Sequence, residues 1–160
     1  TKEILTKTIL TIKILKQETF VKCDVTNKAE FEAAVNSVVA EFKTLDIFIN
    51  NAGIMNDGLW EKQILINFNA VVFGTMLAVK IMSKQTGGLG GTIVNIASIL
   101  GLAPMAGCPI YVGTKHAVIG FTTSWYFRIT YIFFLTIPGH NIKISYKFEN
   151  MKTQIMCGTR

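Results

Sequence analysis

LDIFINNAG, residues 45–53, is a compact apolar run that stops abruptly on two asparagines, an alanine and a glycine. An unbroken apolar segment of that length is what a strand buried on both faces of a sheet looks like. The glycine-bearing break after it marks the carboxyl end of the strand. Working outward, FVKCDV (20–25) reads as a shorter strand ending in Asp24. A helix is expected after it. Thr26 or Asn27 can cap that helix, Glu30 stands three residues beyond Asn27, and Phe31, Val35, Val38 and Phe42 recur at helical spacing. Downstream, residues 59–84 read as a long helix carrying Ile64, Phe68, Val71, Thr75, Ala78 and Met82 on one face. TGGLGG stops it, and TIVNIAS (92–98) is another buried strand. After a loop from Gly101 to Pro109, residues 110–124 read as a third helix.

Strand and helix alternating in this way imply βαβ crossovers and a parallel sheet covered on both faces. The expectation is one α/β domain over residues 1–160, with 20–125 as its coherent core. Residues 4–16 mix β-branched residues with lysines and fit a strand or a helix, and no periodicity stands out beyond Trp125. ITYIFFLTI (129–137) is expected to be one buried strand, and no run approaches the roughly 18 apolar residues of a membrane span.

Half of the 160 residues are hydrophobic and 16% are charged, enough apolar material for a core and too little charge for extended disorder. Cys23, Cys108 and Cys157 are scattered without metal-ligand spacing, and an odd number argues against a disulfide framework. With no signal-peptide pattern at the start of the sequence, a reducing cytoplasm is the expected setting. The net charge of +6 invites a nucleic-acid reading, but the excess lies in residues 1–28 and 140–160, while 29–139 are balanced. No nucleic-acid motif accompanies it, so neither nucleic acid nor membrane is expected as a partner.

Ligands of open α/β sheets bind beyond the carboxyl ends of the strands. Asp24, Asn50–Gly53 and Ser98 occupy three such ends, and Tyr111-x-x-x-Lys115 follows on the third helix. Each has a bland reading alone: a half-wet aromatic, a solvated lysine, a serine cap. Together they can do chemistry. A lysine ammonium one helical turn away favours the phenolate form of a tyrosine. A serine thirteen residues upstream, across a strand-to-helix loop, can hold a substrate oxygen while the phenol gives or takes its proton. Such a pair needs a partner to handle hydride, the chemistry of a nicotinamide. GGLGG (87–91) is not that partner's phosphate loop, because it runs from helix into strand. His116 falls on another helix face and reads as a surface or packing residue.

Asp24-Val25, Asn50-Asn51-Ala52-Gly53, LINF with Asn67, VNIAS with Ser98, and Tyr111-x-x-x-Lys115 follow in an order that resembles the short-chain dehydrogenase/reductase family. NNAGIMND, LWEK, MSKQTGGLGG and SILGLAP look like the branch holding the 15-hydroxyprostaglandin and insect alcohol dehydrogenases. The resemblance implies a partial Rossmann-like, doubly wound parallel sheet and NAD-dependent interconversion of a secondary alcohol and its carbonyl. It implies that Tyr111 is the acid/base and that Ser98 orients the substrate. Lys115 would bind the nicotinamide ribose, and Asn67 would position a water beside it. Asp24 and Val25 would contact adenine, and the backbone of Asn51, Ala52 and Gly53 would line the cofactor. Cys108, three residues before Tyr111, reads either as a border of the substrate pocket or as a neutral loop cysteine. In this family, helices matching 59–84 and 110–124 pair two subunits into a homodimer.

The sequence departs from the family at both ends. No G-x-x-x-G-x-G precedes Asp24, so the first βαβ unit and its pyrophosphate loop are not in this sequence. Loss of two strands is expected to leave a gap in the sheet between the strands ending at Asp24 and Asn50, which residues 4–16 fill with at most one strand. Pro138-Gly139 comes early for the family's Pro-Gly turn, no threonine follows within four positions, and residues 126–160 look unrelated to the family. The alternatives to a dehydrogenase are therefore a catalytically silent fragment that packs against a related subunit, or a bare nucleotide-binding module.

Overall fold

The computed structural model describes residues 8–14, 17–125, 130–132, 134–137, 140–143 and 154–159, with side chains described for 19–125. Strand β1 (Thr8–Ile14) pairs antiparallel with β2 (Gln17–Cys23). Helix α1 (Lys28–Phe42) leads to β3 (Ile47–Asn50), and a long helix over Asp57–Met82 leads to β4 (Thr92–Asn95). A helix over Pro109–Ser124 follows. Beyond it come β5 (Thr130–Ile132), β6 (Phe134–Ile137), β7 (His140–Lys143) and β8 (Gln154–Thr159).

The main sheet has the order β2-β1-β8-β3-β4-β5. β8, β3, β4 and β5 are mutually parallel, as buried crossover strands should be, while β1 and β2 add an antiparallel extension. The gap expected between the Asp24 and Asn50 strands is therefore closed, and by two strands. β1 supplies one, and β8 from the far end of the chain supplies the other, pairing Asn50 with Cys157 on one side and Thr8 with Thr159 on the other. Both are rich in β-branched or otherwise apolar residues, and each satisfies a row of main-chain N–H and C=O groups that would otherwise lie unpaired inside the sheet. The segment expected as one strand over 129–137 is two: β5 joins the parallel sheet, and β6 pairs with β7 in a separate ribbon.

Local chemistry explains the helices. Asn27 sits in extended conformation at the α1 N-cap and accepts from the Ala29 and Glu30 N–H groups. Glu30 reaches past the cap to the Asp24 N–H at 2.8 Å, a lengthened version of the expected capping box. The long helix opens with a tight turn at Asp57–Leu59 and runs as α2 (Trp60–Ile64), a π turn (Leu65–Asn69) and α3 (Ala70–Met82). The π turn inserts extra residue per turn and shifts the buried face. Ile64 and Phe68, expected on the core stripe, are half-buried, and Gln63, Ile66 and Asn67 are buried in their place. After Met82, the glycine-rich segment folds back as a turn. Gly90 N–H bonds the Met82 carbonyl, and a Cβ on Gly88 would strike the Met82 backbone.

Phe31, Val35 and Val38 of α1 and Leu77 and Ala78 of α3 pack on Phe48 and Ile93. Full burial of each large side chain contributes roughly 1.5–3 kcal/mol. Alternate residues Ile47, Ile49 and Val94 form the opposite face. The Asp57–Met82 helix is long and apolar enough to cross a membrane by length and composition, with a mean hydropathy of 1.8 over an 18-residue stretch of it, which corrects the expectation that no stretch approaches a span. Its apolarity is used against the sheet, and Gln63, Asn67 and Thr75 are buried on it among protein groups. Removing residues 154–160 should expose the facing edges of β1 and β3. A lower urea midpoint and aggregation at micromolar concentration are expected; a truncated chain unfolding at the full-length midpoint would contradict the integral role of β8.

Candidate active site

Two buried carboxamides pin the strand ends. Asn50 Nδ2 donates to Asn95 Oδ1 at 2.8 Å across β3 and β4 and to Thr75 Oγ1 at 3.2 Å on α3. Asn95 Nδ2 donates in turn to Thr122 Oγ1 on α4 (Pro109–Ser124) at 3.0 Å. The network thus fixes α3 and α4 on one face of the sheet. Gly74 permits it, because a Cβ there would collide with Asn50 Oδ1 and with the rings of Phe31 and Phe48.

Beyond the strand ends, three elements converge. Asn67, fully buried within the π turn, brackets residue 54: its Oδ1 accepts the Ile54 N–H and its Nδ2 donates to the Ile54 carbonyl, both at 2.8 Å. The alternative of an asparagine satisfied within its own helix is thereby set aside. Lys115 is 4% exposed and donates from Nζ to the Ile96 carbonyl at 2.9 Å. Between them lies Gly53, whose hypothetical Cβ would be 3.4 Å from Asn67 Oδ1 and 3.6 Å from Lys115 Nζ. The Lys115 ammonium also lies 5.7 Å from the Tyr111 ring centroid. Burial of the charge lowers the Lys115 pKa from 10.5 to about 8.

Ser98 is buried at the start of a tight turn and accepts the Leu100 N–H at 3.2 Å. The turn is pressed against α4, since a Cβ on Gly101 would be 2.8 Å from the Lys115 carbonyl oxygen. Among the described residues no hydrogen bond joins Ser98 to Tyr111, so the expected fold-back brings the serine to the same helix without a direct link. Tyr111 is half-buried, and Cys108 is buried at the N-cap of α4. His116 is exposed and bonds only the Val112 carbonyl of its own helix among the described residues.

The other predicted residues lie along the same sheet edge. Asp24 is exposed at the end of β2, with Oδ1 accepting from the N–H and hydroxyl of Thr26. The Val25 side chain is buried in the core, so only its main chain can face a ligand. Val25 and Ala52 line one small hollow with Phe31, Asn50, Ile66, Ala70 and Val71. Asn51 is half-buried. Cys23 is no nucleophile: burial, then the Glu30 and Asp24 carboxylates, push its thiol up to about 11. No cluster of three His, Cys, Asp or Glu side chains able to hold a metal occurs among the described residues.

Sequence reading missed Asp57 and Gln63. Asp57 Oδ2 and Oδ1 accept the N–H groups of Ile110 and Tyr111 at 2.8 and 3.1 Å, and fully buried Gln63 donates to Asp57 Oδ1 at 2.8 Å. Asp57 belongs to no local pattern, because the N–H groups it accepts from are more than fifty positions away, and Gln63 acts by holding Asp57.

The depressed Lys115 pKa has a sign that can be checked. Between about pH 8 and 10.5 the unfolded chain holds more protons than the folded one, so burial of the ammonium destabilises the fold below pH 8 and that cost fades as pH rises to 10.5. Relative to Lys115→Met, the wild type should gain stability by about 3 kcal/mol between pH 7 and 10.5 in urea unfolding. Parallel pH curves for the two proteins would contradict the burial.

A profile described as short chain dehydrogenase matches residues 2–131. The chain is 47% identical over 105 residues to the NAD(+) 15-hydroxyprostaglandin dehydrogenase of Rattus norvegicus, an alignment covering 66% of this chain and 40% of the relative. It is 37% identical over 145 residues to alcohol dehydrogenase 2 of Ceratitis capitata, covering 83% of this chain and 56% of the relative. Among solved structures it is similar to a short chain dehydrogenase/reductase from Burkholderia phymatum in complex with NAD, with a TM-score of 0.64, 26% identity, and 71% of this chain and 45% of the other covered. The apo form of LigO from Sphingobium gives a TM-score of 0.63 at 29% identity, covering 68% of this chain and 43% of the other. The chain thus spans about half the length of the relatives it matches. Strand-end asparagines, a π-turn asparagine and a buried lysine one turn from a tyrosine accompany a profile match over most of the sequence, and the chain belongs to the short-chain dehydrogenase family.

Proposed function

We propose that this polypeptide serves NAD-dependent oxidation of a secondary alcohol, or the reverse reduction of the carbonyl. The observation that carries the reading is the convergence of Asn67 Oδ1 and Lys115 Nζ on Gly53, with the Tyr111 ring 5.7 Å from the ammonium. A buried ammonium beside a residue that carries no side chain suits a hydroxyl-rich ligand such as a nicotinamide ribose. The exposed carboxylate of Asp24, at the far end of the same sheet edge, suits an adenine amino group. The main chain at Val25 and at Asn51, Ala52 and Gly53 would line the dinucleotide. When bound, NAD supplies the hydride acceptor.

The chain's own groups handle the proton. In the alcohol-oxidising direction, Tyr111 accepts the hydroxyl proton of the substrate, and Ser98 holds the same oxygen. Tyr111 does this as the phenolate, which the Lys115 ammonium stabilises before the transfer while donating to the Ile96 carbonyl. Asn67 keeps residue 54, and with it the Gly53 backbone, in place and positions a water beside Lys115. Cys108, buried at the head of α4, borders the substrate end.

We extend the proposal to assembly and setting. Leu65 and Met76 of the long helix are 44% and 48% exposed, and Gly113 and Gly120 of α4 face open space. That combination supports pairing with a second copy. Buried, unpaired Cys23 and Cys108 support a reducing setting such as the cytoplasm.

Calorimetric titration of the purified chain with NAD should show saturable binding; a folded sample that binds nothing would leave a silent subunit-packing fragment as the better reading. In any active preparation, Tyr111→Phe should lower kcat by about a thousandfold or more while leaving the fold intact, and near-normal turnover would refute its role. Sedimentation should give a dimer that Met76→Glu converts to monomer; a wild-type monomer at tens of micromolar would exclude the pairing.

A further inference from the structure

The helix that carries Tyr111 cannot cap itself. Cys108 stands at its N-cap and makes no side-chain bond to the first turn, and Pro109 at the first helical position has no N–H to offer. The next two N–H groups, of Ile110 and Tyr111, are claimed by the two oxygens of one carboxylate, Asp57. That residue opens a different helix.

Asp57 is in turn held. Gln63 Nε2 donates to its Oδ1 at 2.8 Å, while Gln63 Oε1 accepts the Asn56 N–H at 2.6 Å. Desolvation raises the Asp57 pKa, but the bonds from Gln63 and from the Ile110 and Tyr111 N–H groups outweigh it and hold the carboxyl below the usual carboxylate range. The charge is therefore present wherever the site would operate.

The other side of the tyrosine's residue is gripped as well. Thr114 Oγ1 donates to the Tyr111 carbonyl at 2.8 Å and accepts from Asn67 Nδ2 at 3.2 Å. The N–H and the C=O of Tyr111 are thus each tied to the 57–82 helix, one through Asp57 and one through Asn67 by way of Thr114. A phenol sits several bonds out from its Cα, so a small rotation of that first turn is magnified at the hydroxyl.

We propose that Asp57 is a positioning residue for Tyr111, a cap supplied from the neighbouring helix that sets where the phenol stands relative to Lys115, Asn67 and Ser98. The assignment rests on the acid/base reading of Tyr111, and its test separates the two. Tyrosine is labelled with ¹³C in the ring, and the Tyr111 signal is identified by its loss in Tyr111→Phe. Asp57→Ala should broaden or split that signal and leave those of Tyr126, Tyr131 and Tyr146 in place. Asn27→Ala, which removes a comparable cap from α1, should leave Tyr111 unchanged. If Asp57→Ala does not fold, Asp57→Asn, which keeps the shape and one acceptor, should shift the same signal by less. Where turnover is measurable, Asp57→Ala should reduce kcat by about tenfold to a hundredfold with KM within about twofold, and Asp57→Asn should recover part of the loss. A Tyr111 signal unmoved in both Asp57 variants, or moved equally by Asn27→Ala, overturns the proposal. A wild-type chain without turnover counts against the hydride-transfer reading alone, and the ring signal still decides for Asp57.

Discussion

Asn50 and Asn95 are the constraint on which the rest of the site depends. Two carboxamides have been taken out of water at the ends of adjacent parallel strands, and each must find partners or cost about 1–3 kcal/mol. They find them in each other and in Thr75 and Thr122, one on each of the helices that carry the site. A hydrophobic contact would tolerate a helix sliding by part of a turn. A closed set of directed bonds does not, so the positions of Asn67 on one helix and Tyr111 and Lys115 on the other are set by polar matching beneath them. Gly74 is the permission for that arrangement, and the π turn a few residues before it aims Asn67 at residue 54 and not at the sheet.

What could be read in advance was whatever sits on short-range periodicity. The strands at 47–50 and 92–95, the α1 helix with its Asn27 cap and the α4 helix are local statements, and the four-residue step from Tyr111 to Lys115 states which face they share. The role of the turn after Ser98 was only partly visible. Its glycine showed a loop, while the close approach to the Lys115 carbonyl needs both elements in space. The π turn was invisible, because one added residue leaves a 3.6-residue pattern looking merely imperfect, and the stripe through Ile64 and Phe68 was misplaced by that much. Asp57 and Gln63 were passed over for a related reason: a cap that serves another helix has no sequence neighbour to betray it.

The ends of the chain required the structure outright. Residues 4–16 carried a strand-or-helix ambiguity that pairing of 8–14 with β2 resolves, since the β-branched threonines and isoleucines of that stretch suit a pleated strand. Residues 154–159 carried no signal at all. Their fit comes from need, because the flanks of β1 and β3 present main-chain groups that only another strand can satisfy.

Placing the last strand of the chain at the middle of the sheet makes folding a long-range problem. Phe48 and Ile155 are neighbours in the sheet yet roughly a hundred residues apart along the chain, so the contact order is high and loop closure must precede any reward from the pairing. Until that closure, β3 waits with one bare edge, and so does β1. Such a chain is expected to assemble its helices quickly and its sheet slowly, and its yield in the cell should depend on how well chaperones shield those two edges in the interval.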